Sequence, residues 1–217
     1  MKQIFIFAIL PVLLLFSCGE PEQRFTEPQP AGQKNTDRFP KRFRGTYLSL
    51  SDSSLLTVTD RALIRSYDLW MEQELSALDS SYTLIGDSLL AKKNEEDTLN
   101  VKRTGTLISC HIFTADTFFR TDLTDWFVLR KMKGYLFLNS FCGDSCWTVE
   151  KMALKHGRLT IGELAVPEDI EKLDAVTETQ EDTATVIRNY QPRRKEFRKF
   201  VKQSGFASEE EFVKIKE

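Results

Sequence analysis

The sequence predicts a mainly β protein: an antiparallel up-and-down meander of about ten strands over residues 41–166, closing as a barrel, with helices after it. Three observations carry this. No proline occurs from Lys41 to Val166, so nothing in that span forbids a central strand. Short apolar runs are separated by Gly86, Gly105, Gly134 and Gly157, each beside a polar residue, as tight hairpin turns require. Counting outward from these turns sets apolar side chains opposite apolar ones, the mark of a half-buried antiparallel sheet. A long meander has to close or fold on itself, because open strand edges invite aggregation.

The chain begins Met1-Lys2-Gln3 and runs apolar from Ile4 to Phe16, interrupted by Pro11. As a helix that run is roughly 20 Å long, short of the ~30 Å hydrocarbon core of a bilayer. A charged start, a brief apolar core and a small residue before a cut describe a signal peptide over residues 1–17. Leu15-Phe16-Ser17-Cys18 resembles the lipobox of bacterial lipoproteins, with Leu three before the cysteine and a small residue one before it. The resemblance implies a lipid on the Cys18 thiol, a cut before it, and acylation of the new amine. Each buried CH₂ of an acyl chain such as palmitate contributes roughly 0.8 kcal/mol, and two or three chains hold a protein firmly on a membrane. Gly19 stands where Asp favours inner-membrane retention in some bacteria, and Glu20 and Glu22 resemble the acidic export tags of Bacteroidota surface lipoproteins. The expected location is the outer membrane of the cell envelope, on its periplasmic or its surface face.

Residues 18–40 read as a disordered tether. They hold Pro21, Pro28, Pro30 and Pro40, four of the seven prolines, among Gln, Glu, Thr and Gly, a composition suited to an extended spacer.

The hairpins follow in order. A Thr104-Gly105 turn sets Val101 opposite Ile108 and Leu99 opposite Cys110. Lys133-Gly134 sets Leu129 opposite Leu138, and His156-Gly157 pairs Leu154 with Leu159 and Met152 with Ile161. Trp147 and Val149 differ in parity from Met152 and Leu154, so a bulge is expected near Glu150. The stretch 68–78 breaks the alternation: Met71, Leu75 and Leu78 fall at helical spacing, predicting a short helix or a crossing loop.

Residues 167–217 read as a helical extension packing on the sheet. Pro167-Glu168-Asp169 starts one helix, and residues 184–190 are expected to add a strand. Pro192 and Gly205 bound a basic helix whose Phe197, Phe200 and Val201 share a face. Ser208 and Glu211 form a capping-box pattern that predicts a last helix anchored by Phe212 and Ile215.

Cys142 and Cys146 flank a three-residue turn, which brings two Cα atoms to disulfide distance. A redox pair uses two intervening residues at a helix start, and a zinc site needs ligands beyond His111 and His156, so a disulfide is the expected state. Cys110 is then left over, as a small buried apolar residue. The formal charge of −2 speaks against nucleic acid as a partner. No phosphate-cradling Gly loop, HExxH or GxSxG occurs, so neither an enzyme nor a cofactor or metal site is expected. Residues 188–202 carry seven cations against Glu196, suiting either a solvated helix face or anionic headgroups.

Phe43-Arg44-Gly45-Thr46-Tyr47 is similar to the G-x-W opening of lipocalins, and Thr124-Asp125-Trp126 is similar to their T-D-Y. That resemblance implies a lipocalin-like barrel enclosing a small apolar ligand. The alternative is a protein–protein interaction or structural module of the envelope, presenting the aromatic residues Trp126, Tyr135, Phe137, Phe141 and Trp147. Coverage of those side chains by Phe197, Phe200 and Val201 is expected to remove that patch.

Overall fold

The computed structural model describes residues 22–78, 80, 82–86, 89–92, 98–143, 146–182 and 187–215. The chain is mainly β. It runs through β1 (Glu22–Phe25), a 3-10 turn at Lys41–Phe43, β2 (Gly45–Ser49), β3 (Leu55–Val58) and β4 (Ala62–Glu74). Then come β5 (Tyr82–Ile85), β6 (Leu89–Lys92), β7 (Thr98–Thr104), β8 (Leu107–Arg120) and β9 (Phe127–Met132). β10 (Tyr135–Gly143), β11 (Cys146–Lys155) and β12 (Arg158–Glu163) complete the meander. The remainder is α1 (Pro167–Asp174), β13 (Thr179–Asp182), β14 (Ile187–Tyr190), α2 (Arg194–Lys202) and β15 (Ser208–Lys214).

All these strands join one sheet, in the order β13-β14-β1-β11-β12-β15-β2-β3-β4-β8-β7-β6-β5. β10 lines the other edge of β11 and carries β9 beyond it. β1 and β14 run parallel, so the sheet is mixed. It is not closed into a barrel, contrary to the expectation for a lipocalin-like meander. Among the described residues, no strand joins the outer edge of β9 to β8.

The sheet nevertheless curls around one core. Leu129 of β9, Met152 of β11, Phe212 of β15, Tyr47 of β2, Leu56 of β3 and Phe119 of β8 belong to a single buried cluster. The rings of Phe119 and Phe127, from strands far apart in the order, stand 5.1 Å apart. Burying each such large side chain contributes about 1.5–3 kcal/mol.

What spans the open seam is the segment expected to be a tether. Residues 18–21 lie outside the described residues, but residues 22–40 are part of the fold. Thr36 donates its N–H to the Leu129 carbonyl at 2.7 Å, and Phe39 donates to Asp60 at 2.8 Å. Thr121 Oγ1 donates to the Asp37 carbonyl at 2.6 Å, and Phe39 is buried in the core. Further back, buried Asn139 accepts from the Gln29 N–H at 2.5 Å and donates to its carbonyl at 2.9 Å. Arg130 donates to the carbonyls of Pro28 and Pro30. The composition argument failed because this stretch is held by its backbone polar groups and two phenylalanines, Phe25 and Phe39, which side-chain polarity does not report.

Two helix expectations are corrected. Residues 68–74 continue β4, followed by a 3-10 turn at Leu75–Ala77, because β8 offers an antiparallel partner from Leu107 to Arg120. Residues 208–214 form β15, not a helix: the slot between β12 and β2 supplies backbone partners on both sides, and Phe212 is buried. The extension at 167–217 is therefore not helical alone, since β15 sits inside the sheet.

Registers at Lys133-Gly134 and His156-Gly157 are as expected, pairing Leu129 with Leu138, Leu154 with Leu159 and Met152 with Ile161. Both residues of each turn have positive φ, 51° and 89° in the first and 49° and 79° in the second, as a primed two-residue turn demands. The turn near Gly105 is shifted by one: Thr104 pairs with Leu107 and Val101 with Cys110, so Gly105-Thr106 is the loop. No bulge interrupts β11 at Glu150. The parity conflict has another cause: both faces of β10 and β11 are buried. Leu136, Leu138 and Met152 face the first core, while Phe137 and Val149 face a second one.

That second core is built by α2 and the N-terminal segment. Phe197 packs edge-on against Phe137 at 5.1 Å and against Phe25 at 6.2 Å, and Phe200 meets Phe206 at 5.2 Å. Val201 packs at its edge. The aromatic patch is thus largely covered: Phe137 is buried, Tyr135 and Trp147 pack against the cluster, and Trp126 stays exposed.

Candidate functional site

Cys18, the residue expected to carry a lipid, lies outside the described residues. Among the described residues no helix is long and apolar enough to cross a membrane. Cys142 and Cys146 are joined as a disulfide with Cα atoms 5.4 Å apart, tying β10 to β11 at the register shift between Phe141 and Gly143. Cys110 is free and half-buried on β8, opposite Met71. His156 sits exposed in its turn.

Past the core, β4 and β8 run on together as a ribbon, widened at its far end by β7, β6 and β5. Here Trp70 and Met71, from the stretch expected to be a short helix or a crossing loop, stand in solvent at 67% and 54% exposure, with Phe113 of β8 64% exposed beside them. Trp70 stacks on His111 with ring centroids 5.0 Å apart, and His111 Nε2 hydrogen-bonds the Asp68 carboxylate. Asp68 pairs with Phe113 in register, so Trp70, His111, Asp68 and Phe113 share one face. β7 pairs only with Leu107–Cys110 of β8. From His111 to Arg120 the second edge of β8 has no strand partner among the described residues. An open edge beside exposed aromatic groups is a template for strand addition, with backbone bonds giving affinity and alternate side chains giving specificity. The run "HIFTADTFFR" carries no local signal of this, because which strand lies at an edge is set by topology.

The concave face ends in a polar cluster. Arg65 on β4 donates from Nη1 to Glu210 Oε2 at 3.0 Å, from Nη2 to Asp52 Oδ2 at 3.0 Å, and from Nε to Ser54 Oγ at 2.9 Å. Ser49 and Ser51 hydroxyls also donate to Glu210, at 2.8 and 3.0 Å. Burial alone would raise the Asp52 pKa, but hydrogen bonds from Ser54 and Ser49 and the Arg65 charge override it and hold the carboxyl well below its usual range. Glu150 behaves oppositely. Burial, then the neighbouring carboxylates of Glu163 and Glu210, push it up to about 7. No group of three or more metal-ligating side chains is assembled among the described residues.

Three surface clefts accompany these features. One, about 750 Å³, lies between the N-terminal segment and the start of α2, lined by Thr26, Glu27, Asn189 and Arg193 among others. Another, about 720 Å³, sits beside the His156 turn and β15. The third, about 300 Å³, is lined by Gln33, Lys131, Met132, Lys133, Arg194 and Arg198. Of the lining residues of all three, only Met132 belongs to the buried cores.

No family model matches the chain, and no curated protein or solved structure matches it.

Proposed function

We infer that the protein is a lipid-anchored module of the cell envelope that captures an extended segment of another envelope protein along the free edge of β8. The observation that carries this is the stretch His111–Thr117, whose second edge has no strand partner among the described residues, beside exposed Trp70 and Phe113. An extended peptide laid there gains backbone hydrogen bonds at every second residue and an aromatic platform at its side. The anchor rests on the lipobox resemblance at Leu15–Cys18. It restricts the partner to proteins reaching the outer membrane and raises the local concentration of both. An apolar ligand inside the curl is the weaker reading, because the enclosed face is occupied by the packed side chains of the first core.

Site-specific photo-crosslinking in intact cells tests the capture. A photoreactive side chain at Phe113, Ala115 or Thr117 yields one discrete protein adduct, and the same group at exposed Lys155 yields none. Phe113→Lys, which places a charge on the edge, abolishes the adduct at Thr117. Equal labelling from Lys155, or none from the edge, contradicts the reading. Cys18→Ser separately removes incorporation of a labelled lipid precursor; a wild-type chain that takes up no lipid removes the anchor.

A further inference from the structure

The 300 Å³ cleft between the β9–β10 turn and α2 concentrates positive charge. Lys131 and Lys133 come from the strand and turn, and Arg194 and Arg198 from successive turns of the helix. No carboxylate lines it. The acid nearest in sequence, Glu196, is engaged elsewhere, accepting from the Arg193 backbone N–H at 2.7 Å. Arg42 reaches the same turn without lining the cleft, donating to the Gly134 carbonyl at 2.7 Å. None of the four lining cations forms an ion pair with a described residue. The Gln33 amide lies against the Arg194 guanidinium, and donor–acceptor matching assigns its oxygen to that side, where it accepts without neutralising the charge.

This arrangement is the reverse of what a helix stabilised for itself would carry. Cations four apart on one helix face repel, and a cation in the first turn opposes the helix dipole. Arg194 and Arg198 are four apart, and Arg194 is the first residue of α2. The apolar face of α2 is spent on the second core through Phe197 and Phe200. The helix is therefore not free to lie in a bilayer, and its basic side is presented as a rigid surface.

We propose that this cleft binds a phosphate-bearing anion, with Arg194 and Arg198 as planar forks for phosphate oxygens and Lys131 and Lys133 as point charges around them. The same chemistry is offered by a phospholipid headgroup and by a soluble phosphate ester. The inference is independent of the strand-capture reading, since the two surfaces share no residue.

The test uses the full chain with two probes: inorganic pyrophosphate, followed by calorimetry, and phosphatidylcholine vesicles with or without phosphatidylglycerol, followed by co-sedimentation. Saturable binding of either probe is expected, weakening as salt rises. Pyrophosphate alone identifies a soluble ligand; phosphatidylglycerol vesicles alone identify a headgroup. Lys133→Gln/Arg198→Gln weakens binding by about tenfold or more, whereas Lys102→Gln/Lys155→Gln, an equal loss of charge elsewhere, leaves it unchanged. Arg198→Lys gives an intermediate loss. Equal weakening by both double variants means diffuse surface charge and overturns the proposal, as does no saturable binding of either probe. Circular dichroism of each variant confirms that folding is retained.

Discussion

Arg65 on β4 and Glu210 on β15 form a two-point ion pair even though β2 and β3 lie between their strands. Neighbouring strands stand about 4.8 Å apart, and Arg65 is in line with Lys214, four residues from Glu210, so in a flat sheet this pair would be separated by well over the roughly 14 Å of three strand spacings. Their contact is possible only because the sheet curls, and it braces the curl from its concave side. Asp52 and Ser54 extend the brace to the β2–β3 turn.

Breaking that brace should loosen the curl. Glu210→Gln removes the charge that Arg65 faces and leaves a half-buried guanidinium underpaired, at a cost of about 1–3 kcal/mol in chemical denaturation. Arg65→Met/Glu210→Leu should cost less than the two single changes added together, because neither partner is stranded.

Glu150 gives the fold a pH dependence. Its folded-state pKa lies above the ordinary value of 4.5, near 7, so the native state holds the proton more tightly than the unfolded chain. Stability from this group is complete below about pH 4.5 and is withdrawn as pH rises towards 7. Glu150→Gln should therefore raise stability by on the order of 2 kcal/mol at roughly pH 8 and by little at roughly pH 4. Asp52 acts in the opposite sense: its depressed pKa contributes stability that is lost as pH falls below 3.8. Thermal melts across pH, with and without each substitution, separate the two.

Asn139 is the main clasp on the N-terminal segment, with four hydrogen bonds to Gln29, Val128 and Phe137. Asn139→Leu keeps the volume but leaves Gln29 unsatisfied. It should cost about 2–3 kcal/mol and expose Lys34 and Arg38 to trypsin under native conditions. Wild-type cleavage at those sites at an equal rate would show that the segment is not held.

Much of the central hairpin set was legible in the sequence, because alternation and Gly-containing turns are local signals. Leu129 facing Leu138 and Met152 facing Ile161 are examples. The misreadings share one physical cause, long-range pairing. Ser208 and Glu211 match a helix cap, and only the vacant slot between β12 and β2 makes a strand of them. Met71, Leu75 and Leu78 fall at helical spacing, yet β8 draws the first of them into a ribbon. Residues 22–40 looked disordered because their partners, Asn139 and Arg130, lie about a hundred positions away. The exposed edge of β8 was missed for the same reason: edges are properties of topology, not of runs of residues.

Gly205 illustrates a signal read correctly for the wrong reason. It ends α2, but the left-handed residue is Ser204, with φ 59°. Gly205 is required because a Cβ there would stand 2.3 Å from the Phe200 ring. Gly205→Ala should cost about 1–3 kcal/mol by overpacking, with Gly205→Ala/Phe200→Leu recovering part of it in the same denaturation assay.

The free edge of β8 is most directly measured by residue-resolved amide hydrogen exchange on the isolated protein. Between His111 and Thr117, amides bonded to β4 should be protected, and the alternating amides that point to the open side should exchange rapidly. On capture of an extended partner the second set should become protected. Uniform protection of the whole run in the isolated protein would mean the edge is already paired, and would contradict strand capture.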